Sequence, residues 1–300
     1  MRLRTTAILA TAALGLTVAG SASAAELPIA PIGTGSKTCV PKRGASCNAI
    51  KAIGANFAGK NLRGVRFDKA NLKGANFAGA DLRGASFRGA KLGGTDFSYA
   101  TLKGAQFGTP KDTRKRMNQG QAAPGCQPNC VGADLGGANF YGANLAGANF
   151  SEANLTSANL SWAYAKSANL TDANLASADL TSANLASANL TGANLASANL
   201  TSANFMAANL AGTLLDSANL SWTYLKNANL GSAGLVAATL TRADLSSANL
   251  TGANLTGANL TLASLGSANL TGANIAGANL AYTLWSNTTC PSGTVTNTGC

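Results

Sequence analysis

The residue types that usually carry chemistry are sparse, and their scarcity excludes most reactions. The 300-residue chain has no histidine, and its 11 Asp and Glu are outnumbered by 22 Lys and Arg. Acids such as Asp68, Asp81 and Asp96 stand singly, with no carboxylate pair for general acid–base work and no nucleophile beside a base. GTGSKT at 33–38 fails as a phosphate loop, because Pro31 and Ser36 stand where glycine is needed and no strand precedes it. The chain reads as non-enzymatic, and neither a cofactor nor a small-molecule substrate is indicated.

Three groups of residues remain as candidates for other chemistry. The six cysteines come as close pairs, Cys39/Cys47, Cys126/Cys130 and Cys290/Cys300. Cys-x3-Cys without histidine is a poor metal set, so disulfides are expected. Six cysteines allow 15 pairings; nearest neighbours are the favoured partners, since each pair lies outside the repeated words described below. The second group is basic. Residues 25–131 hold 17 Lys/Arg and five Asp/Glu, whereas residues 132–300 hold three and six. Arg63, Arg83 and Lys103 recur at 20-residue intervals, and Lys111, Arg114, Lys115 and Arg116 add a cluster. Such a concentration suits a polyanion: an envelope phosphate polymer, lipid head groups or extracellular nucleic acid. It equally suits a solvated face. The third group is aromatic. LSWAYAK at 160–166 returns as LSWTYLK at 220–226, and LAYTLW at 280–285 echoes both after another 60 residues. FSYATLK at 97–103 is a weaker relative. Trp162, Tyr164, Trp222, Tyr224 and Tyr282 therefore form either a row of platforms for sugar rings or a protein partner, or the remnant of a duplicated 60-residue block.

What positions these groups is a five-residue word, Ala-(Asn/Asp)-Leu-x-x. Its centres run from Phe57 to Phe107 with Phe and Leu alternating, and from Leu135 to Trp285 mostly as Leu. On a helix, period five would spiral the Leu residues around every face; on a strand it would flip them at each word. Neither buries one face, so the backbone must turn once per word and coil into a solenoid. Alternating Phe and Leu further requires an even number of words per coil if Phe is to stack on Phe. From Phe107 to Leu135 is 28 residues, not a multiple of five, so 108–132 is an insertion. The chain divides into a signal peptide (1–24), an N-terminal cap (25–54) ending in the mildly amphipathic CNAIKAI, a basic first array (55–107), the insertion, a second array (133–285) and a C-terminal cap (286–300). Arg2 and Arg4, the apolar run Ile8–Val18 and Ala22-Ser23-Ala24 make the leader. No later segment is continuously apolar, so no transmembrane segment is expected, and the mature chain is expected to be secreted or periplasmic.

The words across 55–107 and 133–285 resemble the pentapeptide-repeat family. The resemblance implies an all-β, right-handed quadrilateral β-helix with four words per coil and Leu/Phe and Ala inside, here with disulfide-closed end caps. The Asn before each Leu is expected to bond backbone at the corners. At about 4.8 Å per coil, Arg63, Arg83 and Lys103 share a column, with Asp68 and Arg88 the obvious compensating pair. Trp162, Trp222 and Tyr282 share another at roughly 14 Å intervals. Ser161, Thr181, Thr201, Ser221, Thr241 and Thr261 form a hydroxyl ladder, which raises ice binding as an alternative. The best-known family members are acidic, dimeric mimics of duplex DNA that bind gyrase. Against that role, the mature charge is +9 (20 Lys/Arg, without Arg2 and Arg4, minus 11 Asp/Glu), the wrong sign for a DNA mimic. The expectation is an exported scaffold that contacts an anionic envelope polymer or a protein partner.

Overall fold

A computed structural model describes residues 31–34, 37–102, 104–107 and 130–300. The leader therefore lies outside the described residues, as do Lys103, Lys111, Arg114, Lys115, Arg116 and Cys126. The backbone turns once per word: each word contributes one isolated parallel bridge, and, apart from the two that span the insertion, each bridge pairs a residue with one 20 positions on, as in Asn174↔Asn194 and Asp179↔Asn199. Four bridges thus fill each coil, which makes the coil four-sided.

One word shows why this sequence makes this corner. In Ala173–Ser177 the amide of Asn174 donates back to Ala153 O (2.9 Å), while those of Leu175 and Ser177 donate forward to Asn194 O (2.7 Å) and Ala196 O (2.9 Å). Ala173 closes the preceding turn onto Leu170 O (3.1 Å). Only the Ala176 amide lacks a backbone acceptor, and Asn174 Oδ1 takes it at 3.2 Å. Every amide of the word is satisfied, as a buried backbone demands. The Asn before each Leu therefore supplies the one acceptor that coiling leaves missing, as expected. The residue two after each centre has positive φ (Ser177, 57°), the mark of a type II turn, and Gly and Ser are the commonest residues there.

The interior follows from the same geometry. Phe57 stacks on Phe77 (centroids 4.6 Å) and Phe77 on Phe97 (5.4 Å), so the even period of the Phe/Leu alternation is realised as columns of like rings. Ala fills the inward position beside each centre; Ala173, Ala193 and Ala203 have no exposed surface. Where Thr replaces it, the hydroxyl is satisfied internally: Thr95 and Thr213 donate to Leu72 O (3.1 Å) and Leu190 O (3.0 Å).

The coil pairing spans Ser46 to Thr289, so it takes in CNAIKAI, which is two irregular words and not an amphipathic cap. Cys47 and Ala52 are buried centres in it. Before it, β1 (Ile32–Thr34) and β2 (Lys37–Cys39) form an antiparallel hairpin, and at its end β3 (Thr288–Thr289) pairs antiparallel with β4 (Val295–Thr296). Disulfides Cys39–Cys47 and Cys290–Cys300 tie each hairpin segment to a buried centre, each with Cα atoms 5.4 Å apart. The expected Cys126–Cys130 bridge differs: Cys130 is a free thiol, and it is fully buried because it too occupies a centre. Burial pushes its thiol well above the ordinary range.

The insertion does not disturb the register. Thr101 pairs with Asn144 and Asp96 with Asn139, and Phe97 stacks on Phe140 at 5.6 Å. The separation from 101 to 144 is 43, one 20-residue coil plus 23 extra residues. Beside the seam lies a cleft of about 190 Å³ lined by Phe87, Gly89, Ala90, Leu92, Gly132, Ala133 and Asp134.

Candidate functional site: one basic and aromatic face

Because the register survives the insertion, residues of the two arrays can be assigned to common faces. One face has as its middle line the bridged ladder Asn61, Asp81, Thr101, Asn144, Tyr164, Asn184, Asn204, Tyr224, Asp244, Ser264, Leu284. Two residues before each of these lies one corner, which carries Tyr99, Gly142, Trp162, Ser182, Ser202, Trp222, Arg242, Leu262 and Tyr282. Two residues after lies the other, which carries Arg63, Arg83, Lys166, Met206 and Lys226. Arg43 joins this basic corner, since the Gly44 amide donates to Arg63 O (2.8 Å) as the Gly64 amide does to Arg83 O (2.9 Å).

This face gathers most of the exposed large apolar side chains and every cation of the second array, whereas cations of the first array such as Arg66, Lys69, Lys73 and Lys91 also stand on other faces. Nine of the 13 large hydrophobic side chains exposed among the described residues lie on it, including Trp162 (62%), Trp222 (50%), Tyr224 (55%) and Tyr282 (78%). Residues 132–300 hold three cations, Lys166, Lys226 and Arg242; all three are exposed and all three are on this face. Their acids are scattered, and only Asp244 shares it.

The aromatic corner is also conformationally costly. Tyr99, Trp162, Trp222 and Tyr282 occupy the turn position with φ of 54°, 60°, 62° and 57°. A bulky side chain in the left-handed region is disfavoured by roughly 1–2 kcal/mol, and Gly or Ser fills the equivalent position in most other words. Arg242 packs over the Trp222 ring, its guanidinium carbon 4.5 Å from the centroid. Tyr99 makes an edge contact with Tyr141 (5.5 Å) and lies over Gly142, where a Cβ would come within 2.7 Å of its ring. Gly142 is thus required for this ring position.

The basic corner is partly neutralised. Arg83 forms an ion pair with Asp81, its Nε donating to Oδ1 at 2.8 Å, and this hydrogen bond holds the Asp81 carboxyl below its ordinary range. The expected compensation of Arg88 by Asp68 takes another form: Asp68 Oδ1 accepts the Arg88 backbone amide (3.1 Å), while the Arg88 side chain turns to Gln106. Arg88 carries a buried Nε with no partner among the described residues. The hydroxyl ladder runs beside the aromatic corner, and four of its six hydroxyls, those of Thr181, Thr201, Ser221 and Thr261, bond within their own words. Thr181, Thr201 and Thr261 donate to Asp179 (2.6 Å), Asn199 (2.7 Å) and Asn259 (2.6 Å).

Of the residues singled out from sequence, the structure brings Arg63, Arg83, Trp162, Tyr164, Trp222, Tyr224 and Tyr282 onto one face. Arg43, Tyr99, Lys166, Lys226 and Arg242 belong with them and were not among those singled out as a site. The available signal was the matching place of Lys103, Lys166 and Lys226 at the end of the three related seven-residue words.

The family model for pentapeptide repeats matches in eight copies, among them those at residues 44–84, 75–108, 133–172, 168–205, 203–242 and 238–275. No curated protein matches the chain. Among solved structures, similarity is found to HetL, a pentapeptide repeat protein involved in heterocyst differentiation regulation from the cyanobacterium Nostoc sp. strain PCC 7120. It is 28% identical over 84% of this chain and 91% of its own, with a TM-score of 0.31. QnrB1, a plasmid-mediated fluoroquinolone resistance protein, is 18% identical over 78% of this chain and 92% of its own, with a TM-score of 0.40. Rfr23 from the cyanobacterium Cyanothece 51142 is 33% identical over 35% of this chain and 58% of its own, with a TM-score of 0.23. With the family model matching across both arrays and the word-by-word bridging of a four-sided coil, the chain belongs to the pentapeptide repeat family.

Proposed function

We propose that the protein is an exported, non-enzymatic binding scaffold whose basic and aromatic face engages an anionic polymer of the cell envelope. The observation that carries this reading is the segregation on that face. Every cation of residues 132–300 lies there beside four aromatic residues held exposed at a costly backbone conformation. A coil that needed only solubility would distribute its charges and keep Gly or Ser at the turn. Export is supported by the leader-like sequence at 1–24, and the two disulfides are compatible with an extracytoplasmic site. Among the described residues no helix is long and apolar enough to cross a membrane.

The alternatives are less well supported. A DNA-mimic role opposes the charge of +11 for the full chain. Ice binding would need a flat row of free hydroxyls, whereas four of the six ladder hydroxyls are engaged within their own words and the aromatic corner stands beside them. The test is retention on an immobilised anionic polymer under a salt gradient. Replacing Arg63, Arg83 and Lys103 together by Gln is expected to lower the eluting salt concentration, because each lost contact removes released counterions. Parent and variant eluting at the same salt would remove the basic corner from the reading.

A further inference from the structure

Between Trp162 and Trp222 the face is built differently from elsewhere. Two successive coils place small or amide side chains along the aromatic corner and middle line, Ser182 with Asn184 and Ser202 with Asn204, all half-buried, while Met206 stands exposed at the far corner between Lys166 and Lys226. The two Trp residues are 60 positions, hence three coils, apart, so they wall a trough roughly 14 Å across at the spacing of paired strands. Tyr164 and Tyr224 continue the walls across the face, and Lys166 and Lys226 close the far corner. Arg242, on the coil beyond Trp222, packs over that ring at 4.5 Å, so the guanidinium covers the ring on the side away from the trough.

The floor offers unused donors. Asn184 and Asn204 accept the amides of Ala186 (3.1 Å) and Met206 (2.9 Å) through Oδ1. Their Nδ2 groups have no acceptor among the described residues, as is also true of Asn144, Asn174 and Asn219, whereas that of Asn199 donates to Thr181 (2.8 Å) and that of Asn229 to Asn209 (3.0 Å). The Ser182 and Ser202 hydroxyls are likewise without a partner there. The next interval, towards Tyr282, is filled by Arg242, Asp244 and Leu262, and its Ser246 and Ser264 hydroxyls bond each other (2.9 Å). The trough is therefore a single site, walled by aromatic rings and floored by amide and hydroxyl donors, with one cation at the far end of each wall.

We infer that this trough binds a glycan chain in which uncharged, amide-bearing rings alternate with carboxylate-bearing ones. The inference rests on the face proposed above and names its ligand class. Aromatic walls match the C–H faces of pyranose rings, whose hydrogens meet the negative ring quadrupole. Free Nδ2 and hydroxyl groups suit acetamido carbonyls and ring hydroxyls. One cation per aromatic pair fits a sparsely charged chain, whereas a nucleic acid brings a charge with every nucleotide and rewards a continuous basic groove.

The experiment is titration calorimetry of the full chain with hyaluronan fragments, which alternate uronate and acetamido rings. It is run at about 50 and about 500 mM NaCl, where screening lengths are roughly 14 and 4 Å. Chitohexaose and a thymidylate oligonucleotide serve as comparison ligands. Asn tolerates the left-handed conformation, so Trp162→Asn/Trp222→Asn keeps the turn, and circular dichroism checks the coil. Hyaluronan binding is expected to weaken about tenfold or more in this variant at both salts, as loss of hot-spot aromatics does. Lys166→Gln/Lys226→Gln should lose only the salt-sensitive part, and chitohexaose should bind more weakly while keeping its dependence on the Trp pair. Unchanged hyaluronan binding in the Trp variant overturns the inference, as does oligonucleotide binding equal to it with the same Trp dependence. If hyaluronan instead depends on Arg43, Arg63 and Arg83 alone, the trough fails and the proposed function stands. If the chain retains no anionic polymer at all, both fall.

Discussion

Replacing Trp162 by Asn separates what the coil needs from what its surface is for. Trp162 sits at φ 60°, where an L-residue is disfavoured by about 1–2 kcal/mol and Asn by less. The residue keeps 62% of its surface in solvent. If full burial of a large apolar side chain contributes about 1.5–3 kcal/mol, the buried remainder of Trp162 is worth roughly 0.6–1.1 kcal/mol. Relief of backbone strain and loss of packing nearly cancel, so Trp162→Asn should stay within about 1 kcal/mol of the parent. Leu200, a core centre with no exposed surface, should lose about 2–5 kcal/mol as Leu200→Ala. Trp222→Asn should fare worse than Trp162→Asn by about 0.5–1 kcal/mol, because the Arg242 contact goes with it. Urea midpoints followed by far-ultraviolet circular dichroism give all three values. A loss above about 2 kcal/mol for Trp162→Asn, comparable to that for Leu200→Ala, would show the ring to be structural and refute its assignment to recognition.

Other consequences can be measured on the same protein. Asp81→Asn frees Arg83, so retention on an anionic polymer should shift to higher salt; a shift to lower salt would contradict the pairing. The Asp81 carboxyl titrates below its ordinary range when folded, so its contribution to stability is present above about pH 4 and is lost as pH falls through the folded value. The acid limb of the stability profile should therefore flatten in Asp81→Asn. Cys290→Ser opens a loop closed across a separation of 10 residues, which the chain-entropy relation puts at about 2.7 kcal/mol; hydrogen exchange should rise first in the last coils. After mild reduction, the buried Cys130 thiol should resist alkylation until the chain unfolds, as mass spectrometry of the labelled peptide will show.

The coil was legible in the sequence because its determinants repeat. Phe57, Phe67 and Phe77 alternate with Leu62 and Leu72, and that alternation alone demands an even number of words per coil. The role of Asn was also legible, since one short side chain per word must answer one recurrent backbone need. The functional face was not. The 28 residues from Phe107 to Leu135 are not a whole number of words, so no count of periods could align Arg83 with Lys166 or Tyr99 with Trp162. The pairings Asp96↔Asn139 and Thr101↔Asn144 across the insertion do so. Charge partners were equally hidden: Asp68 and Arg88 are one coil apart by counting, yet Arg83 turns along its own word to Asp81, because both ends of a word project from the same face. Cys130 looked like the second half of a loop closure. Its position five residues before Leu135 makes it a core centre, a reading that depends on knowing where the coil resumes.

The most direct test of the central claim is footprinting of the full chain by hydroxyl radicals, with and without saturating acidic glycan. Trp162, Tyr164, Trp222 and Tyr224 should be protected together. Ile53 and Leu214, which are similarly exposed at 54% and 48% on a different face, should be oxidised at unchanged rates. Protection of Ile53 and Leu214 with the four aromatic residues left open would contradict the assignment of binding to this face.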